Sequence, residues 1–291
     1  MSTLTTASFR TRLSALALER QSVLCVGLDP RAERLPAEVF RGLKAGPAGT
    51  ARAYERFCTG IIEAVAPHAV AVKPQLAFFE ALGAPGLAAV ERLCGVAREH
   101  GLLTIVDGKR GDIGSTAEAY ASAYLRERDG QPPVADALTV NPYLGADSLE
   151  PFAAACRADG GAIFVLVRTS NSGGADLQEL ELARGGVVWE RVAELVDSLG
   201  ELAGAVVGAT QPEAIVRARE LMPNATFLLP GIGAQGGDVA DLAPAFAIGP
   251  AGGLVSASRS VLFASGADGE WQSAAAAEAT RLREATWRLV S

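Results

Sequence analysis

Side chains able to do acid–base and electrostatic chemistry are concentrated in one stretch, Asp107-Gly108-Lys109-Arg110-Gly111-Asp112. The stretch follows residues 102–106, an apolar run rich in branched side chains that is typical of a buried strand. Because side chains alternate along a strand, Asp107 and Lys109 are expected on the same side. A helix is predicted next, over about 114–128. In a barrel of alternating strands and helices, catalysis takes place at this carboxyl end of the strands.

The same D-x-K-x-x-D pattern also has a purely structural explanation. Asp107 and Lys109 could form a salt bridge, and Asp112 could be the acid that often stands at a helix N-terminus. The other strand ends of the chain separate these two explanations, because a catalytic site needs further polar groups that meet the motif.

The composition favours one enzyme-sized α/β domain. At 291 residues, with 49% hydrophobic residues, the chain can bury a large core, and we expect a single domain over residues 1–291. The net charge of −7 argues against nucleic-acid binding, so an anionic substrate would need local positive charge. No segment is apolar enough to span a membrane, and no signal peptide is recognisable, which together favour a cytoplasmic protein.

Cysteine and histidine give little support for other chemistries. The four cysteines are widely spaced without a C-x-x-C pattern, so we expect buried, reduced thiols and neither a zinc site nor disulfides. The two histidines, His68 and His100, stand at the ends of predicted helices and are expected to cap them. Acid–base work would therefore fall to aspartate and lysine, and no metal site is predicted.

Eight strand-like segments alternate with helical ones, which predicts a (β/α)8 TIM barrel with extra N- and C-terminal helices. The predicted strands cover residues 22–27, 69–73, 102–106, 136–140, 162–167, 204–208, 225–229 and 253–257. The predicted helices cover residues 7–20, 50–66, 85–100, 114–128, 146–159, 187–202, 211–221 and 271–290. Residues 30–50 form a long connection rich in Pro, Gly and Arg.

Polar residues follow several of these strands. Asp29 comes after the first strand and is a candidate site residue. Lys73 ends the second strand, either as a lysine that reaches the surface or as a charge at the barrel mouth. The polar segment 172–175 follows the fifth strand and could be a lid over a ligand or an ordinary surface loop.

The last two strands are followed by features typical of a phosphate site. Residues 230–237 form a glycine-rich loop, in which backbone N–H groups can approach an anion. Arg259 follows the eighth strand and could make a charge-assisted phosphate contact. TIM barrels often bind phosphate between the loops after strands seven and eight.

These motifs together resemble those of the orotidine 5'-phosphate decarboxylase family. The central block, extended to Ile113 and with Thr116, is similar to the family's catalytic motif. Four further blocks match in the same order: Val26-Gly27-Leu28-Asp29, Val72-Lys73-Pro74, residues 230–237 and Ser258-Arg259-Ser260. The resemblance covers about residues 20–265. The long connection after Asp29 and the sequence Asn141-Pro142-Tyr143 resemble the longer bacterial subgroup.

The resemblance implies a homodimer that converts orotidine 5'-phosphate to uridine 5'-phosphate and carbon dioxide without a metal or organic cofactor. It implies a charged array beneath the pyrimidine, formed by Lys73, Asp107 and Lys109, with Lys109 as proton donor. Asp112 and Thr116 would enter the neighbouring subunit's site. Substrate contacts are implied for the ribose, the pyrimidine edge and the phosphate, through Asp29, Ser170, Gln235, Arg259 and the backbone near Gly233 and Ser258.

Two alternatives share parts of this pattern. Sugar-phosphate decarboxylases and hexulose-phosphate synthases have a D-x-K-x-x-D motif but use magnesium and carry an acid near the second strand, where this chain has Val72-Lys73-Pro74. A non-catalytic sensor of nucleotide phosphates would need the glycine-rich loop and Arg259. It would not need Lys73, Asp107 and Lys109 together.

Overall fold

A computed structural model describes residues 7–232, 238–264 and 270–290 as a closed barrel of eight parallel strands. Each strand pairs with the next along the chain, and the eighth pairs with the first. The strands are β1 (Leu24–Leu28), β2 (Ala71–Pro74), β3 (Leu103–Arg110), β4 (Ala137–Val140), β5 (Ala162–Arg168), β6 (Ala203–Val207), β7 (Phe227–Pro230) and β8 (Gly253–Ala257). The predicted TIM barrel and all eight predicted strands are confirmed.

The helices lie outside the barrel or close its ends. They are α1 (Phe9–Arg20), α2 (Pro47–Val65), α3 (Leu76–Glu80), α4 (Ala84–Glu99), α5 (Gly114–Leu125), α6 (Ala146–Asp159), α7 (Ala175–Gln178), α8 (Val188–Ser198), α9 (Pro212–Leu221), α10 (Arg259–Leu262) and α11 (Trp271–Trp287). Short 3-10 turns occur at residues 32–34 and 37–40 of the long connection, and at 172–174, 200–202, 240–246 and 250–252.

Two predicted boundaries are wrong for identifiable reasons. The third strand does not end at residue 106, because its backbone pairs with β4 as far as Arg110. The first four residues of the charged motif therefore belong to β3. The predicted helix over 187–202 ends at Ser198, because Gly200 adopts the left-handed conformation (φ +62°) and a 3-10 turn follows.

The terminal helices pack against the barrel, as the sequence predicts. Helix α1 places Phe9 edge-on against Phe164 of β5, with ring centroids 5.7 Å apart, and its Arg12 forms an ion pair with Asp136. Helix α11 places Trp271 against Phe57 of α2, with centroids 5.0 Å apart. Aromatic burial of this kind contributes substantially to the core.

The cysteines are buried as predicted, and the prediction for histidine holds in part. All four cysteines are buried and unpaired, at Cys25, Cys58, Cys94 and Cys156. His100 is the residue that ends α4. His68 does not cap a helix: it lies three residues beyond α2, and its ring lies 3.3 Å from the Thr280 hydroxyl. Within the three described ranges, no helix is long and apolar enough to cross a membrane.

Candidate active site

Asp107 is the centre of a charged cluster at the carboxyl end of the barrel. Its Oδ2 lies 2.6 Å from Lys73 Nζ and accepts a hydrogen bond from Gln75 Nε2 at 2.9 Å. Its Oδ1 lies 2.6 Å from Lys109 Nζ and accepts from the Thr139 hydroxyl at 2.9 Å. Four donors thus hold one carboxylate in a single orientation, and the predicted pairing of Lys73, Asp107 and Lys109 is present.

The two lysines differ in their access to solvent. The side chain of Lys73 is 7% exposed, whereas that of Lys109 is 47% exposed. Because β2 pairs with β1 so that Lys73 lies opposite Gly27, the lysine points into the barrel mouth and does not reach the outer surface. Of these two lysines, Lys109 is the one that an entering molecule can reach.

The cluster keeps its members charged. Burial alone would lower the pKa of Lys73, but the Asp107 carboxylate, helped by Asp29, raises it above the usual range for lysine. Burial alone would raise the pKa of Asp107. The charges of Lys73 and Lys109 and their hydrogen bonds instead hold it well below the usual range for a carboxyl group.

Two neighbouring cavities open beside this cluster, and both are walled by Lys73, Asp107 and Pro230. The first has a volume of about 210 Å³ and continues along Lys109, Thr139, Leu166, Thr169, Ser170, Asn171, Val206 and Leu228. The second has a volume of about 220 Å³ and continues along Asp29, Gln75, Gly231, Ile232, Ser256, Ser258, Arg259 and Ser260. Together they form one elongated site with an apolar and a polar half.

The polar half brings together three candidate residues from opposite ends of the sequence. Asp29 follows β1, while Ser258 and Arg259 follow β8. The two strand ends come so close that a Cβ atom on Gly27 would collide with the Ser258 hydroxyl. The Oδ1 atom of Asp29 is buried without a hydrogen-bond partner among the described residues, so its capacity to accept a hydrogen bond is unused.

The other half places Ser170 beside a required glycine. A Cβ atom on Gly208, just after β6, would lie 2.8 to 2.9 Å from backbone and side-chain atoms of Ser170. The segment after Ser170 is ordered into a 3-10 turn and α7, and Gln178 of α7 accepts a hydrogen bond from Thr169 N at 3.0 Å. The polar segment 172–175 therefore lies beside the cavity as short helical turns.

Two candidate residues do not meet this cluster in the structure, and two more cannot be placed. Asp112 lies just before α5 and Thr116 in its first turn, and neither lines one of the two cavities formed by the described residues. The Oδ1 atom of Asp112 accepts a hydrogen bond from Ile113 N at 2.8 Å. Gly233 and Gln235 lie outside the described residues.

Sequence reasoning missed Gln75 and Thr139, both of which donate to Asp107. Gln75 follows directly after Lys73-Pro74, within reach of the same strand end. Thr139 is a buried polar residue inside the apolar strand β4. A polar side chain at such a position needs a hydrogen-bond partner, and this was the available signal.

Comparison with known proteins gives concordant results. The model of the "Orotidine 5'-phosphate decarboxylase / HUMPS family" matches residues 22–274. An orotidine 5'-phosphate decarboxylase of Rhodopirellula baltica is 44% identical in an alignment 297 residues long that covers 95% of this chain and 98% of the relative. One of Deinococcus radiodurans is 46% identical over 273 residues, covering 90% and 92%. The solved structure of Leishmania donovani OMP decarboxylase is 35% identical, with a TM-score of 0.74 over 94% of this chain and 98% of that one.

Proposed function

The chain belongs to the orotidine 5'-phosphate decarboxylase family, and from this we propose how its own residues carry out the reaction. The enzyme converts orotidine 5'-phosphate to uridine 5'-phosphate and carbon dioxide, a step of pyrimidine biosynthesis. When the bond from pyrimidine C6 to the carboxylate breaks, its electron pair stays on C6. The site must stabilise that negative charge and deliver a proton to the carbon.

We propose that Lys109 delivers the proton. Its ammonium borders the first cavity and is half-exposed, while its partner Asp107 stays ionised beside it. A proton moves from Lys109 Nζ to C6 as carbon dioxide leaves, and the lysine is reprotonated from solvent. Before that transfer, the same positive charge lies where the negative charge develops.

Asp107 and Lys73 have different roles in this proposal. The Asp107 carboxylate borders both cavities, so the carboxylate of the substrate would lie close to a fixed negative charge. The repulsion between the two carboxylates ends when the substrate loses carbon dioxide. Lys73 is almost fully buried, and its Nζ atom holds Asp107 in place through Oδ2 at 2.6 Å. It contributes to the positive potential under the pyrimidine ring.

The rest of the substrate fits the two halves of the site. We assign the ribose hydroxyls to Asp29, whose Oδ1 lacks a partner among the described residues, and the phosphate to Ser258 and Arg259. The pyrimidine edge is assigned to Ser170 in the more apolar half. Phosphate binding far from C6 can serve catalysis by holding the base in place. By family resemblance, Gln235 and the backbone near Gly233 add contacts to the phosphate end.

A homodimer completes the site in this proposal, with Asp112 and Thr116 reaching the partner's cavity. Three large apolar side chains near them are exposed: Ile113 at 56%, Tyr143 at 76% and Leu144 at 50%. An apolar surface of this kind at the mouth of the barrel favours burial against a second copy.

Hybrid dimers test the shared site. Asp112→Ala and Lys109→Ala homodimers should each be nearly inactive. If Asp112 serves the partner's site, a mixed dimer contains one site with both residues intact, and activity should return to roughly a quarter to a half of the wild-type value. Verified hybrids that stay as inactive as their parents would refute the shared site.

We further propose that the protein acts as a single domain in the cytoplasm and needs neither metal nor organic cofactor. The observation that carries the functional proposal is the array in which Asp107 contacts both lysines at 2.6 Å. The Lys73 ammonium lies near the carboxyl end of β2, and a cation there would repel a divalent metal ion. The test is to add orotidine 5'-phosphate to protein treated with a chelator. Rapid formation of uridine 5'-phosphate is expected, and activity that disappears with the chelator and returns with magnesium would contradict the proposal.

A further inference from the structure

The ladder between β3 and β4 is interrupted at the charged motif. Val106 lies opposite Leu138, but the next paired positions are Arg110 and Val140. Three residues of β3, 107–109, therefore face a single residue of β4, Thr139. Irregular pairing of this kind redirects side chains and is frequent beside active sites.

The Thr139 side chain gives the Lys109 N–H a hydrogen-bond partner where the ladder is interrupted, and it also binds the Asp107 carboxylate. Its hydroxyl accepts from Lys109 N at 2.9 Å and donates to Asp107 Oδ1 at 2.9 Å. Thr139 is 1% exposed, so water does not offer these groups an equal alternative. A hydroxyl has one proton to donate, and here Asp107 receives it.

The backbone at Lys109 needs such support. Its φ angle is +47°, in the left-handed region that residues with a Cβ atom rarely adopt. Backbone strain at a functional site persists only where the surrounding structure holds it. The bond from Lys109 N to Thr139 is a specific interaction that fixes this conformation.

One hydroxyl thus positions both the backbone and, through Asp107, the ammonium group of Lys109, the proposed proton donor. It binds the backbone of Lys109, and it binds the same Oδ1 atom that the Lys109 ammonium contacts at 2.6 Å. The other oxygen, Oδ2, is held by Lys73 and Gln75. Without the hydroxyl, Asp107 keeps its contacts with Lys73 and Gln75 through Oδ2, but its carboxylate is freer to rotate. The backbone N–H of Lys109 also loses its hydrogen bond.

We propose that Thr139 is a positioning residue that sets the Lys109 ammonium in line with pyrimidine C6. It acts through Lys109 and Asp107 and contributes little to substrate affinity. The inference rests on the proposed function, because it presupposes Lys109 as proton donor. A misplacement of a reacting group by about 1 Å can cost about 10²-fold in rate.

The test compares two substitutions of Thr139 with a matched control. Thr139→Val keeps the shape but removes both hydrogen bonds, and kcat is expected to fall by about 10²-fold while KM and the Kd for uridine 5'-phosphate change by less than about threefold. Thr139→Ser keeps the hydroxyl and should restore kcat to within about fivefold of wild type. The control is Thr226→Val. Thr226 directly precedes β7 and is also buried, but its hydroxyl donates to Ala251 O at 2.8 Å.

Three results would overturn the inference: a kcat of Thr139→Val within threefold of wild type, a Thr139→Ser variant as slow as Thr139→Val, or an equal loss of kcat in Thr226→Val. If Thr139→Val does not fold, Thr139→Ala removes the same bonds and is judged by the same criteria. Lys109→Ala is measured in parallel. If it stays active, the proposed proton donor has failed, whereas an inactive Lys109→Ala beside a fast Thr139→Val refutes only the positioning role.

Discussion

Replacing Asp107 by asparagine should destabilise the protein in a way that depends on pH. The substitution keeps the shape of the side chain but removes the negative charge between Lys73 and Lys109, which contact it at 2.6 Å. Lys73 is 7% exposed and would be left as a buried ammonium ion without its partner. Removing one member of a buried ion pair costs about 3–5 kcal/mol of unfolding free energy.

The direction of the pH dependence follows from the pKa shifts. In the wild type, the raised pKa of Lys73 makes its contribution to stability complete below the unfolded-state value, about 10.4 for lysine. That contribution is lost as the pH rises through the higher folded-state pKa. The lowered pKa of Asp107 makes its contribution complete above the unfolded-state value, about 3.9, and lost as the pH falls further. The pair therefore stabilises at full strength between about pH 5 and pH 9.

In the Asn variant, burial becomes the dominant influence on Lys73 and lowers its pKa in the folded state. The unfolded chain then binds more protons than the folded one, so the stability of the variant rises with pH relative to wild type. The deficit of about 3–5 kcal/mol at pH 7 should therefore be smaller at pH 9.5.

Urea unfolding at pH 7 and pH 9.5, at one fixed protein concentration, measures the stability deficit of the variant and its change with pH. The matched control is Glu150→Gln, because Glu150 contacts Arg157 at 3.4 Å in a pair whose side chains are 57% and 58% exposed. Exposed pairs contribute about 0–1 kcal/mol, so the control should change little. A deficit of Asp107→Asn below about 1 kcal/mol at pH 7, or a deficit that grows at pH 9.5, would refute the reasoning about this buried array.

Two further substitutions test the two halves of the site. Arg259→Ala should weaken binding of uridine 5'-phosphate by at least about 10-fold, the loss of one charge-assisted contact, while the affinity for uridine stays unchanged in the same titration; equal losses for both ligands would count against a phosphate contact. Gly208→Ala should raise KM by about 10-fold or more, because its Cβ atom would lie 2.8 Å from the backbone of Ser170. Gly95→Ala, at a position with open space around it, is the control. Normal steady-state kinetics in Gly208→Ala would show that Ser170 is free to shift.

The fold could be predicted because each barrel strand is a short run of buried apolar residues with recognisable residues at its end. Branched apolar residues, followed by Pro, Gly or charged residues, marked every strand within a few positions. The third strand was harder, because the polar motif looks like a loop when it is seen alone. In the barrel, Arg110 still pairs with Val140, and charged residues are tolerated in a strand whose end lies at a polar mouth.

The candidate site could be predicted only where a residue carries its own signal. Lys73 is a lysine at the end of an apolar strand, and Asp107 and Lys109 share one motif. The roles of Thr139 and Gln75 depend on which atoms meet across strands, and that depends on the interruption in the β3–β4 ladder. Local patterns carry no information about such a shift in register.

The central claim is that the Lys109 ammonium donates the proton to C6, and the lysines of the chain allow a direct test. Besides Lys109 and the buried Lys73, the chain contains only Lys44, which is exposed in the long connection. The measurement follows loss of the orotate absorbance by wild type, Lys109→Ala and Lys44→Ala, with the affinity of each for uridine 5'-phosphate. We predict that Lys109→Ala loses at least about 10³-fold in kcat, about 4 kcal/mol, and still binds uridine 5'-phosphate, while Lys44→Ala matches wild type. A Lys109→Ala variant that turns over near the wild-type rate would contradict the account.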